Sequence, residues 1–213
     1  MTKDPMMELG LPSPLILGSG SFTRKLILEE MGIPYELIVR PIDEKGIGDR
    51  DGDPSELVLT LAKAKADHLV SCLTKDCIVL TADQVVTHNG CILEKPESME
   101  EAKRFVQGYA TISPKTVGAC VLTHIPTGIQ VSGVDTAQIN FHPTLPSDTL
   151  IDELLKQDAP ILSCAGGLMV EHPLVKQYIQ SIDGTEDSVM GLSKDLVLRL
   201  LQTIQQKLLQ HSS

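Results

Sequence analysis

The segment Gly18-Ser19-Gly20-Ser21-Phe22-Thr23-Arg24-Lys25 has residue types suited to holding an anion. Small residues let backbone N–H groups approach a phosphate closely. A helix beginning at Phe22 would turn its unpaired donors and positive dipole end toward the same point. Ser19 and Ser21 add hydroxyl donors, and the Arg24 guanidinium can grip phosphate oxygens with two parallel bonds. The pattern is neither G-x-x-x-x-G-K-[ST] nor G-x-G-x-x-G. By turn chemistry alone it reads equally well as an ordinary capped turn carrying a surface arginine.

Further charges stand at suggestive places. Glu44 lies in Ile42-Asp43-Glu44, and Lys63 and Lys65 lie in Leu61-Ala62-Lys63-Ala64-Lys65-Ala66. Asp83 closes the apolar run Cys77–Ala82, and open α/β sheets bind ligands outside the carboxyl ends of strands. Lys95-Pro96 comes just after Asn89-Gly90. Any one of these side chains by itself is ordinarily a solvated surface charge.

The elements that must carry these residues follow from periodicity. Leu15-Ile16-Leu17 reads as a buried strand, 22–31 as a helix with apolar positions at 22, 26, 27 and 31, and Gly32 and Pro34 as its stop. Tyr35–Val39 reads as a strand, Asp43–Asp53 as a polar loop and Pro54–Leu73 as a helix with proline in its first turn. Cys77–Ala82 reads as a strand ending at Asp83, and Asn89-Gly90 as a tight turn joining Val85–Thr87 to Cys91–Leu93. Ser98 with Glu101 forms a capping box for a helix to Gln107. Thr116–His124 and Ile129–Phe141 read as a long hairpin, Ser147 as the cap of a helix through Leu155, Ser163–Val170 as a loop and Leu192–Leu209 as a closing helix. Helices alternate with strands early and antiparallel pairs come mid-chain, so the pattern predicts an α/β fold with a mixed sheet flanked by helices. Residues 1–11 are expected to fray, and 12–210 to form one domain.

Composition bounds the possibilities. Apolar residues make up 42% and charged residues 22% of the 213 residues, a globular profile, and with aromatics at 3% the core must be aliphatic. A formal net charge of -10 argues against DNA, RNA or an anionic membrane as partner. Cys72, Cys77, Cys91, Cys120 and Cys164 contain no C-x-x-C and read as reduced thiols. The histidines lack paired zinc spacing. No apolar run approaches the roughly 20 residues of a membrane span, and the start lacks the features of a secretory signal, so a cytoplasmic protein is expected.

Taken together, the quoted blocks resemble the Maf family of nucleotide pyrophosphatases, over Leu15 to about Leu201. The family's S-x-S-x-x-R reads here as Ser19, Ser21 and Arg24, its D-E as Asp43-Glu44, and its L-A-x-x-K-A as Leu61–Ala66. Ala82-Asp83 and Lys95-Pro96 follow, then Ala165-Gly166 with Glu171, then Val189-Met190-Gly191-Leu192. Thr23 stands where the family often has a basic or aromatic residue, and Ser193 replaces a common proline. The resemblance implies a Maf/ITPase-like mixed twisted sheet in two lobes with a central cleft. It implies that Arg24, Lys65 and Lys95 bind a triphosphate, that Glu44 and Asp83 lie at a divalent metal (Mg²⁺ or Mn²⁺), and that Asp83 accepts a proton from the attacking water. Ser19, Ser21, Thr23, Gln84 and Glu171 would line the substrate site, and a homodimer is compatible with the family.

Gln84 and Glu171 resemble the subfamily that prefers 7-methyl-GTP, whereas the subfamily that prefers dTTP and UTP typically has Thr and Gln there. A carboxylate can accept from the N1–H and amino group of guanine but not from thymine oxygens, which are acceptors themselves. A dTTP/UTP pyrophosphatase, a non-catalytic nucleotide-binding regulator of cell division, and a hydrolase of nucleotide sugars or diphosphates remain the competing expectations.

Overall fold

The structure is a computed structural model that describes residues 4–147 and 149–211. Seven strands form one mixed sheet in the order β2-β1-β3-β5-β6-β7, with β4 also paired to β3. The strands are β1 (Leu15–Leu17), β2 (Tyr35–Leu37), β3 (Ile78–His88), β4 (Cys91–Leu93), β5 (Lys115–His124), β6 (Gln130–Phe141) and β7 (Ile179–Asp183). The helices are α1 (Pro5–Glu8), α2 (Phe22–Glu30), α3 (Pro54–Val70), α4 (Met99–Gln107), α5 (Leu150–Leu155), α6 (Pro173–Lys176), α7 (Glu186–Met190) and α8 (Lys194–His211). The α/β architecture expected from the alternation of elements is the one observed.

Two lobes share the long strands β3, β5 and β6. In the first lobe α1, α2 and α8 cover one sheet face, with Leu17, Ile27, Leu80, Leu122 and Leu201 in the core. In the second lobe α4, α5 and α6 close over Ile139, Phe141 and Leu150. On the opposite face α3 packs Leu57, Leu61 and Ala62 on Val85, Val117 and Val121.

The feature that positions a site is a break along one edge of β3. Parallel β1 pairs with β3 only as far as Leu80, and antiparallel β4 takes up the same strand from Val86. β5 runs unbroken along the other edge, from Ile78↔His124 to Thr87↔Lys115. Residues 81–85 therefore have no strand neighbour on one side, at the junction of the lobes. Side chains alternate along the strand. Thr81 donates to the Ala62 carbonyl of α3 and Val85 packs on the same helix, so Asp83 between them also faces α3.

Several expectations need correction. Asp83 does not end a strand; it lies inside an 11-residue one that joins the two segments read separately, Cys77–Ala82 and Val85–Thr87. The polar pair Asp83-Gln84 interrupted the apolar pattern without interrupting the ladder. The fraying expected over residues 1–11 is not seen where the chain is described. Asp4 caps α1 by accepting from the Met6 N–H, and Met6 and Leu11 are buried. Residues 1–3 lie outside the described part. The helix expected from Ser147 starts instead at Leu150, with no side-chain cap. Elements α6, β7 and α7 were not anticipated. They are only four or five residues long, so no periodicity develops.

Candidate functional site

β1 delivers the chain to the small-residue loop at the open stretch of β3. Gly18 is required there by contact. Its N–H donates to the Leu80 carbonyl at 2.8 Å, and a Cβ would stand 2.8 Å from both Leu69 Cδ2 and Thr81 Cγ2. Ser21 caps α2, its Oγ accepting weakly from the Arg24 N–H at 3.4 Å, and the Ser21 N–H donates to Ser19 Oγ at 3.3 Å. Among the described residues, the N–H groups of Ser19, Gly20, Phe22 and Thr23 have no hydrogen-bond partner, as the anion reading requires.

Arg24 fills the break in the sheet. Its Nη1 donates to the Ala82 carbonyl at 2.9 Å and to Ser19 Oγ at 3.0 Å, and its Nε donates to the Gly191 carbonyl at 2.9 Å. Nη2 has no hydrogen-bond partner among the described residues. Burial pulls the guanidinium pKa down, and the Asp83 and Glu44 charges oppose that pull. Arg24 thus braces the edge of β3 with one side of its fork and presents the other.

On the α3 face Lys65 joins two carboxylates. Its Nζ stands 2.6 Å from Asp83 Oδ1 and 3.1 Å from Glu44 Oε2. Asp83 is buried, and burial pushes its carboxyl above the usual range. Lys65, by charge and hydrogen bond, and Arg24 pull it down again, while Glu44 adds a further upward push. Two carboxylates converging on one cation form a hard oxygen donor pair. Among the described residues no three His, Cys, Asp or Glu side chains converge, so this pair alone would not complete a metal's coordination. That donor set fits Mg²⁺ or Mn²⁺, since Mg²⁺ commonly takes one or two carboxylates and fills its remaining positions with water and phosphate oxygens.

Four of the anticipated charged residues, Arg24, Glu44, Lys65 and Asp83, therefore form one cluster. Lys95 does not join it directly: it follows β4 in the second lobe, exposed, with no ion pair to the cluster among the described residues. Glu171 is half-buried in the second lobe, with its carboxyl pKa raised by burial first and by Glu186 in addition. Lys95 and Glu171 share a neighbour, since the charges of both act on the Cys164 thiol.

Thr23 and Gln84 were expected at the substrate, but the structure engages both elsewhere. Gln84 points to the sheet face opposite Asp83, because adjacent strand residues alternate. Its Nε2 donates to the Ser188 and Val189 carbonyls at 3.0 and 3.1 Å, and Thr23 Oγ1 donates to the Met190 carbonyl at 2.8 Å. With Arg24 on Gly191, these side chains serve successive carbonyls at the end of α7, of which Ser188 also accepts from the Gly191 N–H at 3.2 Å. Gly191 is left-handed at φ 110°, and a Cβ there would stand 3.0 Å from Gln84 Oε1.

Arg50 was not singled out from sequence. Its Nη2 donates to the Glu44 carbonyl at 2.8 Å and its Nε to Glu94 Oε2 at 3.3 Å, so it connects the Glu44 loop to the residue before Lys95. The available signal was a lone arginine in an otherwise acidic, glycine-rich loop. A hollow of about 360 Å³ lies elsewhere, lined by Asp135, Thr185, Asp195 and Arg199 among others, away from this cluster.

A 7-methyl-GTP pyrophosphatase of Dictyostelium discoideum is 37% identical over 200 residues, covering 91% of this chain and 98% of the relative. A dTTP/UTP pyrophosphatase of Salinibacter ruber is 30% identical over 210 residues, covering 99% of each. A solved nucleoside-triphosphatase, titled a dITP/XTP pyrophosphatase, from Mycobacterium abscessus matches at a TM-score of 0.37 and 13% identity. That match covers 61% of this chain and 73% of the other, too distant a likeness to add to the fold argument. The family model described as Maf-like protein matches residues 14–204, nearly the whole length over which the motifs were read, and the chain belongs to the Maf family.

Proposed function

We propose that this chain is a nucleoside triphosphate pyrophosphatase that releases pyrophosphate and a nucleoside monophosphate, with 7-methyl-GTP or a closely related nucleotide as substrate. The observation that carries the reading is the Lys65 ammonium held between Asp83 and Glu44, beside Arg24, at the break in the sheet. It supplies a buried base, fixed cations and a carboxylate pair at one place.

In this reading the triphosphate lies over the free N–H groups of the Ser19–Thr23 loop, with Arg24 Nη2 and Lys65 turned to its oxygens. Lys95 takes the departing end from the second lobe. Asp83 accepts the proton of the attacking water as its oxygen bonds to the α-phosphorus and the bond from that phosphorus to the bridging oxygen breaks. Burial that raises the Asp83 carboxyl makes it a better base than an exposed aspartate, while the Lys65 and Arg24 charges favour its ionised form. Glu44 and Asp83 would hold a divalent cation, which when bound would neutralise charge developing on the phosphates. Three protein cations meet the same need inside a chain of net charge -10.

For the base, Glu171 offers a half-buried carboxylate, and a guanine presents two donors to it. The positive charge of a 7-methylated ring favours the same partner. The name of the Dictyostelium relative agrees with this choice and that of the Salinibacter relative with dTTP or UTP. Gln84 is engaged with the end of α7, so in this reading any effect it has on substrate choice runs through that helix end.

The experiment is a nucleotide panel with Mg²⁺ or Mn²⁺, run on the wild type and Glu171→Gln. The expected result is pyrophosphate release from 7-methyl-GTP, falling far more in the variant than any release from UTP. No pyrophosphate from any triphosphate defeats the reading. Equal loss on all bases removes Glu171 from base selection, and preference for UTP or dTTP in the wild type favours the second subfamily.

A further inference from the structure

The loop that carries Glu44 belongs to the first lobe, and Glu94-Lys95 belongs to the second. Two side-chain links cross between them. Lys45 pairs with Glu97 at 3.1 Å, but the two side chains are 88% and 79% exposed, so water and salt screen the pair to little consequence. Arg50 is different. Its side chain is 27% exposed, and its fork meets acceptors on both segments at once. Nη2 donates to the Glu44 carbonyl at 2.8 Å, Nη1 donates to the Ile47 carbonyl and more weakly to Gly48 at 3.4 Å, and Nε and Nη2 reach the two Glu94 oxygens at 3.3 and 3.5 Å. The Glu94 carbonyl in turn accepts from the Gly166 N–H at 3.0 Å, which fixes the turn that leads toward Glu171.

We propose that Arg50 is a positioning residue for this reaction, setting the placement of Glu44 relative to Lys95 and the 165–167 turn across the lobe junction. The proposal rests on the pyrophosphatase reading above. Arg50 touches neither Asp83 nor Lys65; it acts through the backbone of Glu44 and the carboxylate of Glu94. A planar guanidinium can serve carbonyls with one edge and a carboxylate with the other, whereas a lysine ammonium is a single point donor. Carboxylates and cations that must share one polyphosphate lose rate steeply when displaced by about 1 Å.

The test uses the full chain in five forms: wild type, Arg50→Ala, Arg50→Lys, Glu94→Gln and Lys45→Gln. Measurements are kcat/KM on the triphosphate that the wild type turns over, the half-saturating Mg²⁺ concentration, the melting temperature, and amide exchange of residues 43–50. Arg50→Ala should lower kcat/KM by about ten- to a hundredfold and raise the Mg²⁺ requirement. Amide exchange in 43–50 should quicken while that of α3 stays unchanged. Glu94→Gln should reproduce part of each effect, Arg50→Lys should not restore the wild-type values, and Lys45→Gln should match the wild type. If Arg50→Ala does not fold, Glu94→Gln decides, since it alters only the far partner. An active wild type with Arg50→Ala or Glu94→Gln unchanged in kcat/KM, Mg²⁺ response and loop exchange overturns this proposal alone. A wild type silent on every triphosphate overturns the parent reading and this one with it.

Discussion

Lys65 sits where two readings of the cluster meet: it is the shared counter-charge of Asp83 and Glu44, and in the proposed reaction it is a cation for phosphate. Replacing it with Met leaves two carboxylates facing each other, one of them buried, without their shared counter-charge. Removing one partner of a buried pair costs about 3–5 kcal/mol, so Lys65→Met should lower the melting temperature as well as abolish turnover. Asp83→Asn keeps the shape and removes the base; its kcat should fall by about a hundred- to ten-thousandfold with the fold retained by circular dichroism. Glu171 allows a prediction with a definite sign. Its folded pKa lies above the ordinary value, so the ionised form is the one the fold disfavours. That penalty is absent below the unfolded pKa, grows as pH rises through the folded one, and is complete above it. Glu171→Gln should therefore raise the melting temperature at pH 7.5 and leave it nearly unchanged near pH 4. Thermal melts at the two pH values check this.

At the level of elements, the site exists because β1 stops and β4 has not begun, and Arg24 braces the interval while Thr23, Arg24 and Gln84 hold the end of α7 against it. Gln84→Ala should leave the Val189 carbonyl unmet and the Ser188 carbonyl with only its bond from the Gly191 N–H, costing about 1–3 kcal/mol by urea denaturation. Gly191→Ala should cost stability through both its left-handed φ and the contact with Gln84. Much of this framework was legible in sequence. The Leu15–Leu17 run, the helix start at Phe22, the proline-initiated α3 and the Asn89-Gly90 turn each rest on a local signal. What was hidden depends on pairing. The continuity of β3 through Asp83-Gln84 is set by β5, which no window of β3 contains. The engagement of Thr23 and Gln84 with α7 is set by contacts 104 to 167 residues apart. The charged cluster was legible as motif blocks, but Arg50 was not, because its partners are mostly backbone carbonyls and carry no residue-type signal.

For the molecule as a whole, the aliphatic core and the lobe junction make different demands. The core buries Cys77 and Cys120, and burial lifts the Cys120 thiol to about 12. Cys72 and Cys91 are exposed, and Cys164, half-buried, is lifted to about 11. Only the thiolate attacks, so a maleimide or disulfide reagent on native protein at pH 8 should titrate Cys72 and Cys91 quickly and Cys164 slowly. The Cys164 rate should rise about tenfold per pH unit below its pKa. Cys77 and Cys120 should react only on unfolding, which makes their labelling a count of globally opened molecules. Rapid native labelling at Cys120 would mean that the packing of α8 against β5 is looser than described. The lobe junction, by contrast, gathers cations in a chain of net charge -10, and its worth is read in turnover as well as in stability. The most direct measurement is quantitation of both products, pyrophosphate and nucleoside monophosphate, from 7-methyl-GTP, GTP, UTP and dTTP with Mg²⁺, for wild type and Asp83→Asn side by side. The account predicts equimolar products from the wild type and almost none from the variant, which still binds nucleotide. Orthophosphate in place of pyrophosphate, or undiminished product from Asp83→Asn, would contradict it.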